Sequence, residues 1–139
     1  MQQKLFSNVV VAGADQKQVR RLLANPQHLL EWAPAITTVK QGDNKFTINR
    51  EQAALNQREV ISVRETANDI KYTSTEGRLE YEVVFSIADE GKQTTIQEDV
   101  YIPGKTDLHL PVKLLAPIAK YAFKVNLNNL VSLVEKITV

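Results

Sequence analysis

The stretch NPQHLLEWAPAI, Asn25 to Ile36, sets a helix start, the chain's one tryptophan and a second proline within twelve residues. Asn25 followed by Pro26 is a start signal, a capping side chain and then a ring already fixed at the helical φ. The spacing predicts a short helix over about Pro26 to Glu31, and Pro34 stops it. Upstream, AGADQKQVRRLLA offers Asp15 as a natural N-cap, with Val19, Leu22 and Leu23 on one helical stripe. Before that, residues 4–12 (KLFSNVVVA) read as a first strand. Two consecutive short helices here cannot both run far.

The centre of the chain is a series of strands. Ile36–Gln41 and Lys45–Glu51 are joined by the turn Gly42-Asp43-Asn44, and Asn56–Glu65 turns at Ala67-Asn68-Asp69 into Ile70–Glu76. Gly77 precedes Leu79–Ala88, and Asp89-Glu90-Gly91 leads into Thr94–Pro103. Short turns at about ten-residue spacing predict an antiparallel meander. Leu79, Tyr81, Val83, Phe85 and Ile87 alternate with Glu80, Glu82 and Ser86, so one sheet face is wet and the other covered. The cover is the C-terminal segment. From about Pro117, Phe123, Leu127, Leu130, Val131, Val134 and Ile137 recur at helical spacing, and either Pro111 or Pro117 could be the first helical residue.

Composition narrows the class further. A chain of 139 residues with 43% hydrophobic and 24% charged residues is one globular domain, residues 1–139. The absence of cysteine excludes disulfides and thiolate chemistry, in keeping with a cytoplasmic setting. The early apolar run Val9–Ala12 is too short for a signal-peptide core, and nothing approaches a membrane span. Residues 59–99 carry ten acids against four bases, a balance of −6, which argues against a nucleic-acid partner. Residues 110–139 carry four lysines and one glutamate, a balance of +3, fitting either a solvated face or a weakly basic helix that meets an acidic partner or membrane surface.

Polar residues on apolar faces are the candidates for chemistry. Glu98 shares a strand face with Thr94, Ile96, Val100 and Ile102, where a carboxylate must be paired or protonated. Arg50 shares a face with Phe46 and Ile48, and an inward Arg50–Glu98 pair is the expected polar constellation. Tyr72 and Tyr81, on apolar faces of adjacent strands, are candidates to bond a ligand carbonyl or a backbone group. His28 and His109 are far apart and have no second ligand at metal spacing, so neither a metal nor another cofactor is expected. No Ser-His-acid set or Gly-rich phosphate loop occurs.

The order strand, two short helices, six strands, long terminal helix, together with V-x-x-L-L-x-N-P-x-x-L-x-x-W-x-P-x-I from Val19 to Ile36, resembles the helix-grip superfamily. That superfamily includes START-related lipid-transfer domains, pollen-allergen-like proteins and, nearest here, bacterial polyketide cyclase/dehydratase-like proteins. The resemblance implies an α+β fold in which a curved seven-stranded antiparallel sheet grips the terminal helix. It also implies that the two short helices plug one end, with Trp32 where plug meets sheet.

Members usually hold an apolar ligand between sheet and helix, so the resemblance implies binding of a small hydrophobic or amphipathic, lipid- or polyketide-like molecule without catalysis. An enzyme of the cyclase/dehydratase kind, with Glu98 as acid or base and Arg50 or a tyrosine orienting a carbonyl, is the first alternative. A protein- or membrane-interaction module is the second, and a weak homodimer is left open. Along the terminal helix, Ala116, Ala119 and Ala122 come early and large branched residues late, which places the cavity beside its first half. Its expected walls are Leu115, Ile118, Ala119, Ala122 and Phe123 on the helix and Tyr72, Tyr81, Val83 and Phe85 on the sheet, with Trp32 near one end and Glu98 as the polar group.

Overall fold

In a computed structural model, which describes residues 2–51, 54–103 and 112–138, strand β1 (Gln2–Ala12) leads into helix α1 (Gln16–Ala24). A 3-10 turn (Pro26–His28) and the single-turn helix α2 (Leu29–Trp32) come after it. Strands β2 (Ile36–Gln41), β3 (Phe46–Arg50), β4 (Arg58–Glu65), β5 (Asp69–Thr75), β6 (Tyr81–Asp89) and β7 (Thr94–Pro103) are next, and helix α3 (Val112–Thr138) ends the chain. Asp15 accepts from the Gln18 amide at 3.0 Å and Asn25 from the Gln27 amide at 3.1 Å, so both expected caps form.

The strands make one curved antiparallel sheet in the order β1-β7-β6-β5-β4-β3-β2. β1 and β2, consecutive in sequence, therefore lie at opposite edges, and α1 and α2 bridge them. The two outermost turns take the backbone shapes their residues favour, with Asn44 at φ 58° and Gly91 at φ 82°. Cross-strand pairing lines up Phe6, Val100, Val83, Tyr72 and Val63 as one inner row and Asn8, Glu98, Phe85 and Ile70 as the next. These rows, with Leu22, Leu23, Trp32 and Leu127, Leu130 and Val134 of α3, form the hydrophobic core.

Most strand boundaries shift by one or two residues from the sequence reading, and two shifts have a visible cause. β6 begins at Tyr81, not Leu79, because the Asn56 side chain takes both backbone groups of Leu79, each at 2.8 Å. Gly77 makes that possible: a Cβ there would stand 2.7 Å from the Asn56 amide nitrogen. α3 starts at Val112, so Pro117 lies inside the helix and removes the partner of one first-turn carbonyl; Pro111 and His109 lie outside the described residues.

Packing along α3 is uneven. Leu127, Leu130 and Val134 are fully buried, whereas Leu115, Ala119 and Phe123 are only half-buried. The late half therefore grips and the early half rides higher over the sheet. Leu130→Ala should cost about 2–5 kcal/mol, the usual penalty for emptying a closed core site, in chemical denaturation. Ile118→Ala, on the exposed early half, should stay within about 0.5 kcal/mol of the parent.

Candidate functional site

Two polar clusters occupy the otherwise apolar inner face. The first is built on β3, β4, β5 and β6. Glu59 is 0% exposed; it faces inward because it pairs with Ile48 of β3 and alternates with Ile61. Arg50 and Glu59 form an ion pair, the Ser74 hydroxyl donates to the same carboxylate, and the Tyr81 hydroxyl donates to it at 3.1 Å. Arg50 also donates to the Tyr81 oxygen at 3.4 Å. Arg50 and Tyr81 are half-buried, so the cluster is sealed at Glu59 and at Arg50 Nη1 and reaches solvent only through what remains exposed of these two residues.

The second cluster is Glu98, 1% exposed, with Asn8 of β1. The Asn8 amide donates to Glu98 Oε1 and to the Lys120 carbonyl of α3, each at 3.2 Å, which ties sheet to helix through one side chain. Burial pushes the Glu98 carboxyl up from 4.5 to about 7; the Asn8 bond opposes this and the adjacent Asp99 charge adds to it. Asp99, on the opposite strand face, goes the other way. Burial raises it, but the Ser7 and Gln97 hydrogen bonds and Lys4 outweigh that and hold it below the usual carboxylate range.

The expected Arg50–Glu98 pair does not form. Glu98 faces inward as its strand pattern predicts, but β4, β5 and β6 stand between β3 and β7. Four strand spacings are about 19 Å along the sheet, beyond the reach of an arginine. β4 instead delivers Glu59 to Arg50, and β1 delivers Asn8 to Glu98.

The other predicted residues fall into three groups. Trp32, Tyr72, Val83 and Phe85 are buried core. Trp32 stacks edge-on to Phe85 at 6.5 Å, its carbonyl accepts from Asn129 of α3 at 3.3 Å, and its indole N–H meets no acceptor among the described residues. The Tyr72 hydroxyl donates to the Leu23 carbonyl, and burial raises its pKa. Tyr81, Phe123, Leu115 and Ala119 are half-buried, with the Phe123 ring set between Phe6 at 5.3 Å and Tyr81 at 6.1 Å.

Ile118 and Ala122 are exposed rather than on the inner wall. They line an open apolar groove of about 660 Å³ with Pro34, Ala35, Pro117, Tyr121, Val125 and Asn126. A helix turns 100° per residue, so Ile118 and Ala122 cannot share the face of Phe123 and Leu127. Sequence reasoning missed Glu59, Ser74 and Asn8. Alternation of Glu59 with Ile61 was the available signal for the first; Asn8 emerges only from the β1–β7 register.

This combination of layers is shared with solved structures. A START superfamily protein from Mycobacterium smegmatis superposes with a TM-score of 0.76 at 19% identity, covering 96% of this chain and 98% of that one. The fold is the helix-grip fold. A norcoclaurine synthase point mutant from Thalictrum flavum, in complex with a transition-state analogue, superposes at 0.75 with 12% identity over 100% and 98% of the two chains. A conserved protein from Geobacillus kaustophilus gives 0.75 at 14% identity over 94% of each chain. No protein-family model and no curated protein sequence matches the chain. No helix among the described residues is long and apolar enough to cross a membrane.

Two substitutions test the clusters. Arg50→Ala leaves Glu59 buried without its cation and should cost about 3–5 kcal/mol; a second change, Glu59→Gln, should restore most of it. For Glu98 the folded-state pKa lies above the unfolded value. The penalty is therefore absent well below pH 4.5, grows as pH rises to about 7 and is complete above that. The whole shift corresponds to about 3 kcal/mol. Glu98→Gln keeps the carbonyl that Asn8 reaches but does not titrate, so unfolding curves should show it gaining on the parent as pH rises from 5 to 8. A constant difference across that range would refute the buried protonated carboxyl.

Proposed function

We propose that the protein binds a small apolar or amphipathic molecule between the first half of α3 and the inner face of the sheet, without catalysing a reaction on it. The observation that carries this reading is the Arg50–Glu59–Ser74–Tyr81 cluster, half-buried at Arg50 and Tyr81, with the Tyr81 ring against the half-buried Phe123. A buried ion pair is a poor device for stability, since apolar residues of like volume usually serve as well. What it supplies is a guanidinium and a phenol fixed in place at the edge of an apolar surface, which is how ligand pockets set orientation. The bound molecule would lay its apolar part along Phe123, Ala119 and Leu115 and turn an oxygen acceptor toward Arg50.

The fold supports this reading by resemblance. The similar structures include a START superfamily protein and a synthase whose crystals hold dopamine and hydroxybenzaldehyde, small ring compounds carrying hydroxyl groups. Trp32 and Phe85 close the far end as core, and Glu98 serves the sheet-to-helix link. The cysteine-free composition fits a cytoplasmic carrier, and the acidic sheet fits a protein with no nucleic-acid partner.

Anilinonaphthalene sulfonate, an apolar ring system with an anionic acceptor group, is a suitable probe. The parent should bind it with a fluorescence rise. Ala119→Phe should fill the space and weaken binding at least tenfold while the melting temperature holds. The paired change Arg50→Met with Glu59→Leu removes both charges together and should also weaken binding without unfolding the protein. A parent that fails to bind the dye, or variants that bind it unchanged, would overturn the proposal.

A further inference from the structure

The outer face of early α3 serves neither the core nor the polar clusters. Leu114, Ile118, Tyr121 and Val125 are 72%, 69%, 62% and 41% exposed. They recur at i, i+4, i+7 and i+11, which puts them in one straight stripe facing away from Leu127 and Leu130. Four large apolar side chains in a row, extended sideways by Pro34 and Ala35 across the groove, form a contiguous patch rather than scattered exposure.

The charges beside the stripe indicate what covers it. Lys113, Lys120 and Lys124 are exposed and each precedes a stripe residue by one position, so they form a parallel row about 100° around the helix. Residues 112–134 contain no Asp or Glu. A second copy of the chain seated on the stripe would add another stretch of helix with three lysines and no carboxylate to meet them. A hydrophobic stripe whose own helix borders it with lysines and no carboxylate, with a tyrosine at its centre, instead matches the boundary between acyl chains and anionic headgroups. There the lysine stems lie along the apolar layer and their ammonium groups reach out to phosphates.

We propose that the outer face of α3 from Leu114 to Val125 docks the protein on an anionic lipid surface, lying in the interface plane with Pro34 and Ala35 as its shoulder. This is independent of the ligand reading, because the stripe and the inner face point in opposite directions. Contact would be peripheral and reversible, resting on a few apolar side chains and three charges.

Sedimentation with vesicles of phosphatidylcholine, alone or mixed with phosphatidylglycerol, tests this. The protein should partition at least tenfold more strongly onto the mixed vesicles, and raising the salt from low to high should release it. Ile118→Asp, at an exposed site that leaves the fold intact, should reduce partition at least tenfold. Replacing Lys113, Lys120 and Lys124 together by Gln should abolish the preference for the anionic lipid while leaving binding of anilinonaphthalene sulfonate to the inner site in place.

The chain has no cysteine, so Ile118→Cys and, as a distant control, Lys92→Cys can each carry one environment-sensitive label. The label at 118 should shift to the blue on mixed vesicles and the label at 92 should not. Equal partition of parent and Ile118→Asp, or no partition at all, would overturn the proposal. So would a dimer formed without lipid and dispersed by Ile118→Asp, or binding to polyglutamate but not to vesicles.

Discussion

Everything in this molecule depends on how the last three turns of α3 are held. Leu127, Leu130 and Val134 are fully buried against the sheet and α1, and the Asn129 amide reaches the Trp32 carbonyl of the plug at 3.3 Å. That fixes the plug, the helix and the sheet to one another at one end. Because the grip is at one end, the first half of α3 needs only to pass over the sheet. Its inward positions there are small or half-buried, so it adds little apolar burial of its own. The Asn8 bridge to the Lys120 carbonyl is a polar tie within that first half, where the apolar contacts thin out.

The inner polar groups obey the same geometry. A carboxylate on the buried face of a sheet must be neutralised, paired or protonated, and the two glutamates take different routes. Glu59 has an arginine on the next strand and is paired with it within a four-residue cluster. Glu98 has only an amide on β1 and a like charge at Asp99, so burial prevails and its carboxyl titrates near neutral pH. Strand order decides which route each takes. β3 lies beside β4 and β1 lies beside β7, and neither fact depends on the identity of the glutamates themselves.

Most of the fold was legible because it is written in local patterns. Asn25-Pro26, Asp15, the turn residues at Asn44 and Gly91 and the alternation in β6 and β7 each act within a few residues of themselves. Inward placement of Glu98 was readable in the same way, from two-residue periodicity. The partners were not, since pairing across a sheet is set by register and order, which a single strand does not encode. By charge alone Glu59 groups with the outward acids of the central strands, although Ile61 two residues on marks its true face. On α3 the size gradient from alanine to leucine was visible, and so was the side on which Ile118 and Ala122 fall. The stripe of Phe123, Leu127 and Leu130 already fixes the rotation, and 100° per residue carries Ile118 and Ala122 off that face.

That rotation has a consequence for the whole upper half of the molecule. Setting Leu127, Leu130 and Val134 inward turns Leu114, Ile118, Tyr121 and Val125 outward on the same rigid helix, because 100° per residue leaves no freedom between them. The sequence therefore carries two apolar faces on early α3 where a surface helix needs one. The inner face is made of small residues and Phe123, and the outer of larger, exposed ones, the reverse of what burial in this chain alone would favour. Such an inversion is not corrected by the core, which is complete without these residues. It is a feature of the surface, and it sits on the stretch of helix where Pro117 removes one intrahelical hydrogen bond and the inward residues are only half-buried. The half of the helix that sets Phe123 against Tyr81 is thus also the half that presents an apolar side to solvent.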